Sequence, residues 1–169
     1  MESKGIKYVK TYNLDNKDKQ IIKTLFQNGR YTIAEIAKKT GFRRDSIMYR
    51  LKKLQESYVI TGFQPIINGP AIGYSNAATI LLKIKLTTIE EKNLFIKKLT
   101  NISPIVHIAT TIGKYDLQLA ILYKNTEQLY KIIEEIKILI PNFIIEYEIL
   151  QIVEEPKFED VESLVLNDI

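Results

Sequence analysis

Residues 32–54 read TIAEIAKKTGFRRDSIMYRLKKL, and this run decides the first half of the fold. Thr32 and Glu35 have the spacing of a capping box. The Thr32 hydroxyl accepts from the Glu35 backbone N–H, and the Glu35 carboxylate reaches back. Ile33, Ile36 and Ala37 then point inward at helical spacing. Gly41 stops the helix, because glycine takes the left-handed conformation at little cost. A second helix runs from about Arg43 to Glu56, with Ile47, Leu51 and Leu54 as its buried stripe. Turning by 100° per residue puts Asp45, Tyr49, Lys52 and Lys53 on the opposite side. Ser46 and Met48 lie on the flanks and Arg44 at the N-terminal edge. Two helices joined by a glycine turn, the second basic on its outer face, have the form of a helix-turn-helix.

Upstream, Asp15 is placed to cap a helix whose first turn holds Asp18. Its apolar stripe is Ile21, Ile22, Leu25 and Phe26, and Gly29 is the expected stop. Residues 1–13 show no period and read as an arm, with Ile6, Tyr8, Val9 and Tyr12 available for packing. Downstream, Tyr58–Gln64 (YVITGFQ) reads as a short strand around Thr61 and Gly62, the wing of a winged helix. Pro65, Gly69, Pro70 and Gly73 then give residues 65–75 the composition of a hinge.

The remaining chain alternates between strand and helix periods. Strands are expected at Ala77–Leu86, Ile105–Ile112, Leu117–Tyr123 and Phe143–Val153. Helices are expected at Ile89–Leu99 and Thr126–Leu139, the second capped by Thr126 and ended by Pro141 and Asn142. The order β-α-β-β-α-β predicts a ferredoxin-like unit: a four-stranded antiparallel sheet with two helices on one face. An acidic tail follows, with Val161, Leu164 and Val165 spaced for a short amphipathic helix. The organisation read here is an arm (1–13), a winged helix-turn-helix (14–64), a hinge (65–75), a βαββαβ unit (76–155) and a tail (156–169). The fold class is α+β.

Charge divides along the same line. Residues 1–64 hold 14 Lys and Arg against 6 Asp and Glu, whereas residues 65–169 hold 10 against 14. All four arginines (Arg30, Arg43, Arg44, Arg50) lie in the first 50 residues. Arginine is the better fork for phosphate and guanine, so the basic half is expected to meet a polyanion. With 46% hydrophobic residues, the chain can bury a core. It has no cysteine, which removes disulfides, thiolate metal sites and thiol nucleophiles and fits a reducing compartment. Apolar runs are interrupted well short of about 18 residues, so no transmembrane helix is expected. The N-terminus lacks the apolar core of a signal peptide, and the protein reads as cytoplasmic.

Catalysis finds little material. The one histidine, His107, falls within an expected strand. There is no Ser/His/Asp order, glycine-rich phosphate loop or metal-ligand cluster. Glu90–Glu91 and Glu134–Glu135 fall on helix surfaces, where solvated charge is the ordinary reading. No cofactor and no catalytic residue are expected. The second helix of the motif offers more. Arg44 can pair with guanine, Ser46 and Tyr49 can reach phosphate or base edges, and Lys52 and Lys53 can neutralise phosphate.

These pieces occur in a familiar order. Leu14-Asp15, Asp18, Ile22, Leu25, Asn28-Gly29-Arg30, Ile36-Ala37-Lys38, Gly41 and Arg50-Leu51-Lys52-Lys53-Leu54 are followed by Val59-Ile60, Gly62-Phe63, Asn68 and Gly73. Together they resemble the N-terminal half of the Lrp/AsnC, or feast/famine, transcription regulators. The βαββαβ unit resembles that family's ligand-sensing domain, and Gly113-Lys114-Tyr115-Asp116 matches its signature turn. The resemblance spans about residues 14–155. It implies a regulator that binds double-stranded DNA through Arg43, Arg44, Ser46, Tyr49, Arg50, Lys52 and Lys53. It also implies an amino acid or related metabolite bound near Thr111, Gly113, Tyr115 and Asp116, with Asp116 receiving an ammonium or serving the turn itself. Pairing into dimers is implied through the second domain and residues 59–68, with assembly into tetramers or octamers.

Three departures stand out. Arg43 replaces the serine usual at the start of the recognition helix, which implies an altered DNA preference or a helix that starts later with Asp45 as its cap. Ser57-Tyr58 stands where the family often has a glycine. The acidic tail is extra. Two other readings compete: a sirohaem-decarboxylase-like enzyme of the same architecture, for which one histidine and no arginine after Arg50 are poor supply, and a metabolite sensor without DNA binding.

Overall fold

The computed structural model describes residues 9–85, 88–139, 143–157 and 161–166. The chain divides into two compact units, one formed by residues up to Pro65 with the segment from Lys157, the other by Ile66–Pro156.

The first unit is trihelical. Helices α1 (Asn16–Gln27), α2 (Ile33–Thr40) and α3 (Arg44–Glu56) meet around Ile21, Ile36 and Ile47, all essentially inaccessible, with Leu25, Tyr31, Ile33, Ala37, Phe42 and Leu51 packed against them. Capping decides where two of the helices begin. Asp15 and Asp18 form a reciprocal capping box on α1, and Thr32 and Glu35 form one on α2. Gly41 ends α2 at φ +75°, so the turn into α3 needs its freedom. Helix α1 stops differently from the expectation. Asn28, in extended conformation, is its C-cap, and its side-chain oxygen accepts from the Arg30 N–H at 2.9 Å, so the stop is made one residue before Gly29.

The expected wing strand is absent. Residues 58–64 form a turn and then irregular chain, without a strand. At the end of α3, Tyr58 takes φ +59°, the left-handed conformation that a glycine would adopt more cheaply. Its N–H donates to the Gln55 carbonyl and that of Ile60 to the Leu54 carbonyl. The backbone therefore closes off the helix where a ladder would have had to start. In the same unit α6 (Glu162–Leu166) packs against α1. Leu164 and Val165 of the tail thus lie in a helix that is part of the first unit, with Val161 just before it.

The second unit is β1 (Asn76–Ile84), α4 (Ile89–Leu99), β2 (Ile105–Thr110), β3 (Leu117–Tyr123), α5 (Thr126–Leu139) and β4 (Ile144–Ile152), preceded by a single 3-10 turn at Pro70–Ile72. The sheet order is β2-β3-β1-β4 with every neighbour antiparallel, the arrangement expected of the βαββαβ unit. Period-two alternation fixes which face is buried. Ala78, Ile80, Leu82 and Ile84 of β1 and Leu117, Leu119, Ile121 and Tyr123 of β3 join Phe95, Leu99, Leu129, Ile132 and Ile136 of the helices in one core. Among the described residues of this unit, no helix lies on the other face of the sheet. Strands β1 and β4 differ from expectation by a residue or two at each end, and two further details differ. Thr126 is the first residue of α5, and the cap is Asn125, whose side-chain oxygen accepts from the Gln128 N–H at 2.9 Å. Strand β2 ends at Thr110, before Ile112. Ile6, Tyr8, Leu86, Pro141 and Asn142, for which roles were expected, lie outside the described residues.

Candidate nucleic-acid interface and effector turn

Helix α3 buries Ile47 and Leu54 completely, and this orients everything else on it. Arg43, Arg44, Asp45, Tyr49, Lys52 and Lys53 are exposed, and Ser46 is half-buried on the flank. Arg43 is the N-cap residue but makes no side-chain capping bond, so Asp45 does not take over the cap and lies within the first turn. The first N–H groups of α3 therefore lack a side-chain acceptor. The positive end of the helix and two arginines share one place, and such a place attracts anions. Neither Arg43 nor Arg44 enters an ion pair among the described residues. Lys52 meets only Glu56, at 3.7 Å with both side chains mostly in solvent, a weak pair. Lys53 lies 5.2 Å from the Tyr49 ring centroid. The Tyr49 hydroxyl is the main cause that raises the Lys53 ammonium above its usual pKa. Met48, half exposed, adds an apolar contact surface on the same face.

Arg50, expected among the DNA contacts, is turned instead to carboxylates of α1. Its guanidinium donates to both Asp15 oxygens at 2.8 and 2.7 Å and to Asp18 at 2.7 Å. Asp18 is almost wholly buried. An arginine bonded to two carboxylates, one of them desolvated, would have to give up or share those bonds to meet a phosphate. Burial alone would raise the Asp15 carboxyl, but the Asp18 N–H and the Arg50 guanidinium outweigh it and hold it below 3.8. The same pairing raises Arg50. Arg50 therefore ties α3 to the capped end of α1. The partners lie 35 and 32 residues away in sequence, and no local pattern announces such a contact.

The second candidate site is the turn between β2 and β3. Gly113 takes φ +153°, a backbone that side-chain-bearing residues rarely adopt. The Thr111 hydroxyl donates to the Tyr115 carbonyl at 2.6 Å, and the Thr111 N–H donates to the Asp116 carbonyl at 3.0 Å. The Asp116 carboxylate accepts from the Ile84 N–H at 2.9 Å. The geometry thus gives Asp116 a structural duty, joining the turn to the end of β1, and one of its oxygens is committed to it.

Sequence reading missed the residues that hold Tyr115. Its hydroxyl lies 2.8 Å from Glu148 and 3.2 Å from Glu146, and the Lys114 ammonium donates to it at 3.0 Å. Lys114 also pairs with Glu146 at 2.7 Å, and Lys83 donates to the Lys114 carbonyl. The Lys114 ammonium pulls the Tyr115 phenol down, yet the two carboxylates outweigh it and raise its pKa. Glu146 is lowered and Lys114 raised by their contact. The signal was available only as an alternation. Glu146 and Glu148 face outward on β4, opposite Lys83 and Leu81 of β1, on the side of the sheet that carries the turn. His107 is exposed on the edge strand β2.

Comparison with known proteins decides the family. Residues 14–55 match the AsnC-type helix-turn-helix domain. The chain is 38% identical over 124 residues to the HTH-type transcriptional regulator FL11 of Pyrococcus abyssi, covering 73% of this chain and 80% of that protein. The chain belongs to the Lrp/AsnC family of transcription regulators. The structure of this Lrp/AsnC regulator superposes on AsnC of E. coli with a TM-score of 0.78 at 22% identity, covering 89% of this chain and 99% of that one. A transcriptional regulator of Neisseria meningitidis solved as a complex with L-Met gives a TM-score of 0.77 at 16% identity, covering 86% and 94%. Both share its fold of a helix-turn-helix unit followed by an antiparallel sheet with helices. Among the described residues of the Lrp/AsnC regulator, no helix is long and apolar enough to cross a membrane.

Proposed function

We propose that this regulator reads double-stranded DNA with the exposed face of α3, using Arg43, Arg44, Ser46, Tyr49, Lys52 and Lys53, while Arg50 holds the helix from behind. One observation carries the reading. The trihelical unit presents two arginines without ion-pair partners at the uncapped start of its second motif helix. Arg44 reads a base edge and the lysines meet phosphates. In domain terms, residues 14–64 are the reading head, 65–75 the hinge, and 76–155 the sensing and assembly unit. The segment expected to act as a wing serves without a strand of its own.

The sensing half takes an amino acid or a related metabolite at the 111–116 turn. Gly113 lets a ligand approach the backbone, and the Tyr115 hydroxyl can exchange its bonds to Glu146 and Glu148 for the ligand. Support comes from the likeness to the Neisseria regulator, whose own complex holds L-Met. Dimers form through the sheet face that has no helix. Its β1 and β4 residues Ala77, Thr79, Leu150 and Ile152 lie in adjacent pairs and present a largely apolar patch. Two reading heads then address half-sites about one helical turn apart. Ligand binding shifts DNA affinity only through its preference for one assembly or arrangement over another.

Selection of genomic fragments bound by the full chain, with and without a panel of amino acids, tests this. The expected result is enrichment of related fragments with two-fold half-sites, altered by at least one amino acid. Random fragments unaffected by any amino acid would overturn it.

A further inference from the structure

The short chain before α1 leaves from a point that is fixed to the recognition helix, and that point of departure gives it a use. Asp15 caps α1 and at the same time accepts two hydrogen bonds from Arg50 in the middle of α3. The residues immediately before Asp15 must therefore arrive beside α3. Tyr12, three residues before Asp15, is half-buried, so the chain on that path packs on the unit rather than standing free in solvent. On α3, Arg50 and Lys53 lie three residues apart and so share one side of the helix. Tyr49 and Lys53, four apart, begin the outward face on that same side. The incoming chain thus departs from the border between the buried and the exposed faces of α3, at the level of Arg50. Val9 and Lys10 are exposed there, and Lys10 enters no ion pair among the described residues.

We infer that residues Val9–Asn13 form a second DNA-contacting element, in which Lys10 and the Tyr12 hydroxyl engage the phosphate backbone beside the groove occupied by α3. The inference rests on the DNA reading proposed above and extends it to a segment outside the helix-turn-helix. Its geometry follows from general three-helix architecture. When the chain enters the first helix beside the recognition helix, the residues before that helix emerge next to the duplex, where an arm reaches the adjacent backbone or groove. The chemistry fits phosphate better than bases. An ammonium on a flexible stem is a point charge without the fork that reads guanine, so it adds affinity without sequence preference. The clamp supplies what a free tail lacks. Asp15, Asp18 and Arg50 fix the point of departure, so less ordering is needed on binding.

The test uses the full chain and two DNAs, a selected genomic fragment and a random duplex of equal length. Binding is measured across salt concentrations for the unsubstituted chain, Lys10→Ala, Tyr12→Phe and the control Lys97→Ala, an exposed lysine on α4. Each phosphate contact contributes about 0.9 to the slope of log affinity against log salt. Lys10→Ala is expected to reduce that slope by about this amount on both DNAs, with Lys97→Ala leaving it unchanged. Tyr12→Phe is expected to weaken both DNAs equally, by up to a few fold, at unchanged slope. If the unsubstituted chain bound DNA with a steep slope and Lys10→Ala matched it, the inference would fall while the α3 reading stood. If the unsubstituted chain bound neither DNA, both would fall.

Discussion

The outer face of α3 and the turn at residues 111–116 both carry charged and aromatic side chains, and they differ in what those side chains already do. On α3, among the described residues, Arg43 and Arg44 project without counter-ions, Tyr49 is well exposed, and Lys53 and Lys52 meet a neighbouring ring and a distant carboxylate. At the turn, nearly every polar group is taken. Lys114 holds Glu146, Tyr115 holds Glu148, Asp116 holds the Ile84 N–H, and Thr111 holds the Tyr115 carbonyl. A face of unpaired cations gains from an external polyanion at once. A closed network gains from a ligand only if the ligand replaces bonds already made, and so it suits a site that responds by rearranging. Arg50 sharpens the contrast, because within one helix it belongs to the committed class while Arg43 and Arg44 belong to the free one.

The largest effect is expected where a committed charge is removed. Arg50→Met leaves the buried Asp18 carboxylate without its partner and should destabilise the trihelical unit by roughly 3 kcal/mol. Denaturant unfolding measures this, and a loss below about 1 kcal/mol would show that Arg50 was not structural. Next, Arg44→Ala should leave the fold intact and weaken specific DNA by about 1–3 kcal/mol. An equal loss on random duplex would make Arg44 a phosphate contact and erase its role in reading. Asp116→Ala should cost about 1–2 kcal/mol of stability by leaving the Ile84 N–H without its acceptor. If the fold were unaffected while ligand binding vanished, the turn would belong with the free groups.

The smallest effect is a pH dependence. Asp15 has a depressed folded pKa relative to 3.8, so its contribution is fully present above the unfolded value and is lost as pH falls through the folded one. Asp15→Asn should flatten the acid side of the stability curve, below about pH 4. An identical acid limb in both proteins would mean that the pair adds nothing there. Asp15 is half exposed, so solvent screening keeps this contribution modest.

What could be read from the chain follows from the range of the interactions. The Thr32–Glu35 capping box, the Gly41 turn and the span of helices α4 and α5 depend on residues within a few positions of one another, and they stand where local pattern puts them. Strand β3 shows the same with its strict alternation. The errors need distant partners or backbone detail. Arg50 reads as one more basic residue on a basic helix, until folding brings Asp15 and Asp18 to it. Glu146 and Glu148 carry no local signal of a role, until the sheet order sets them beside Tyr115. The wing fails because strand propensity in YVITGFQ is not enough without a neighbour to complete a ladder. Thr126 and Asn125 are both good caps, and the structure uses the earlier one.

The central claim is that the free cations of the first unit meet a nucleic acid, and its salt dependence tests it most directly. Affinity of the full chain for a selected fragment, followed between about 50 and 200 mM salt, should fall linearly on a log–log plot, with a slope near −0.9 for each phosphate contacted. A steep negative slope is the result expected here. An affinity unchanged across that range would contradict it.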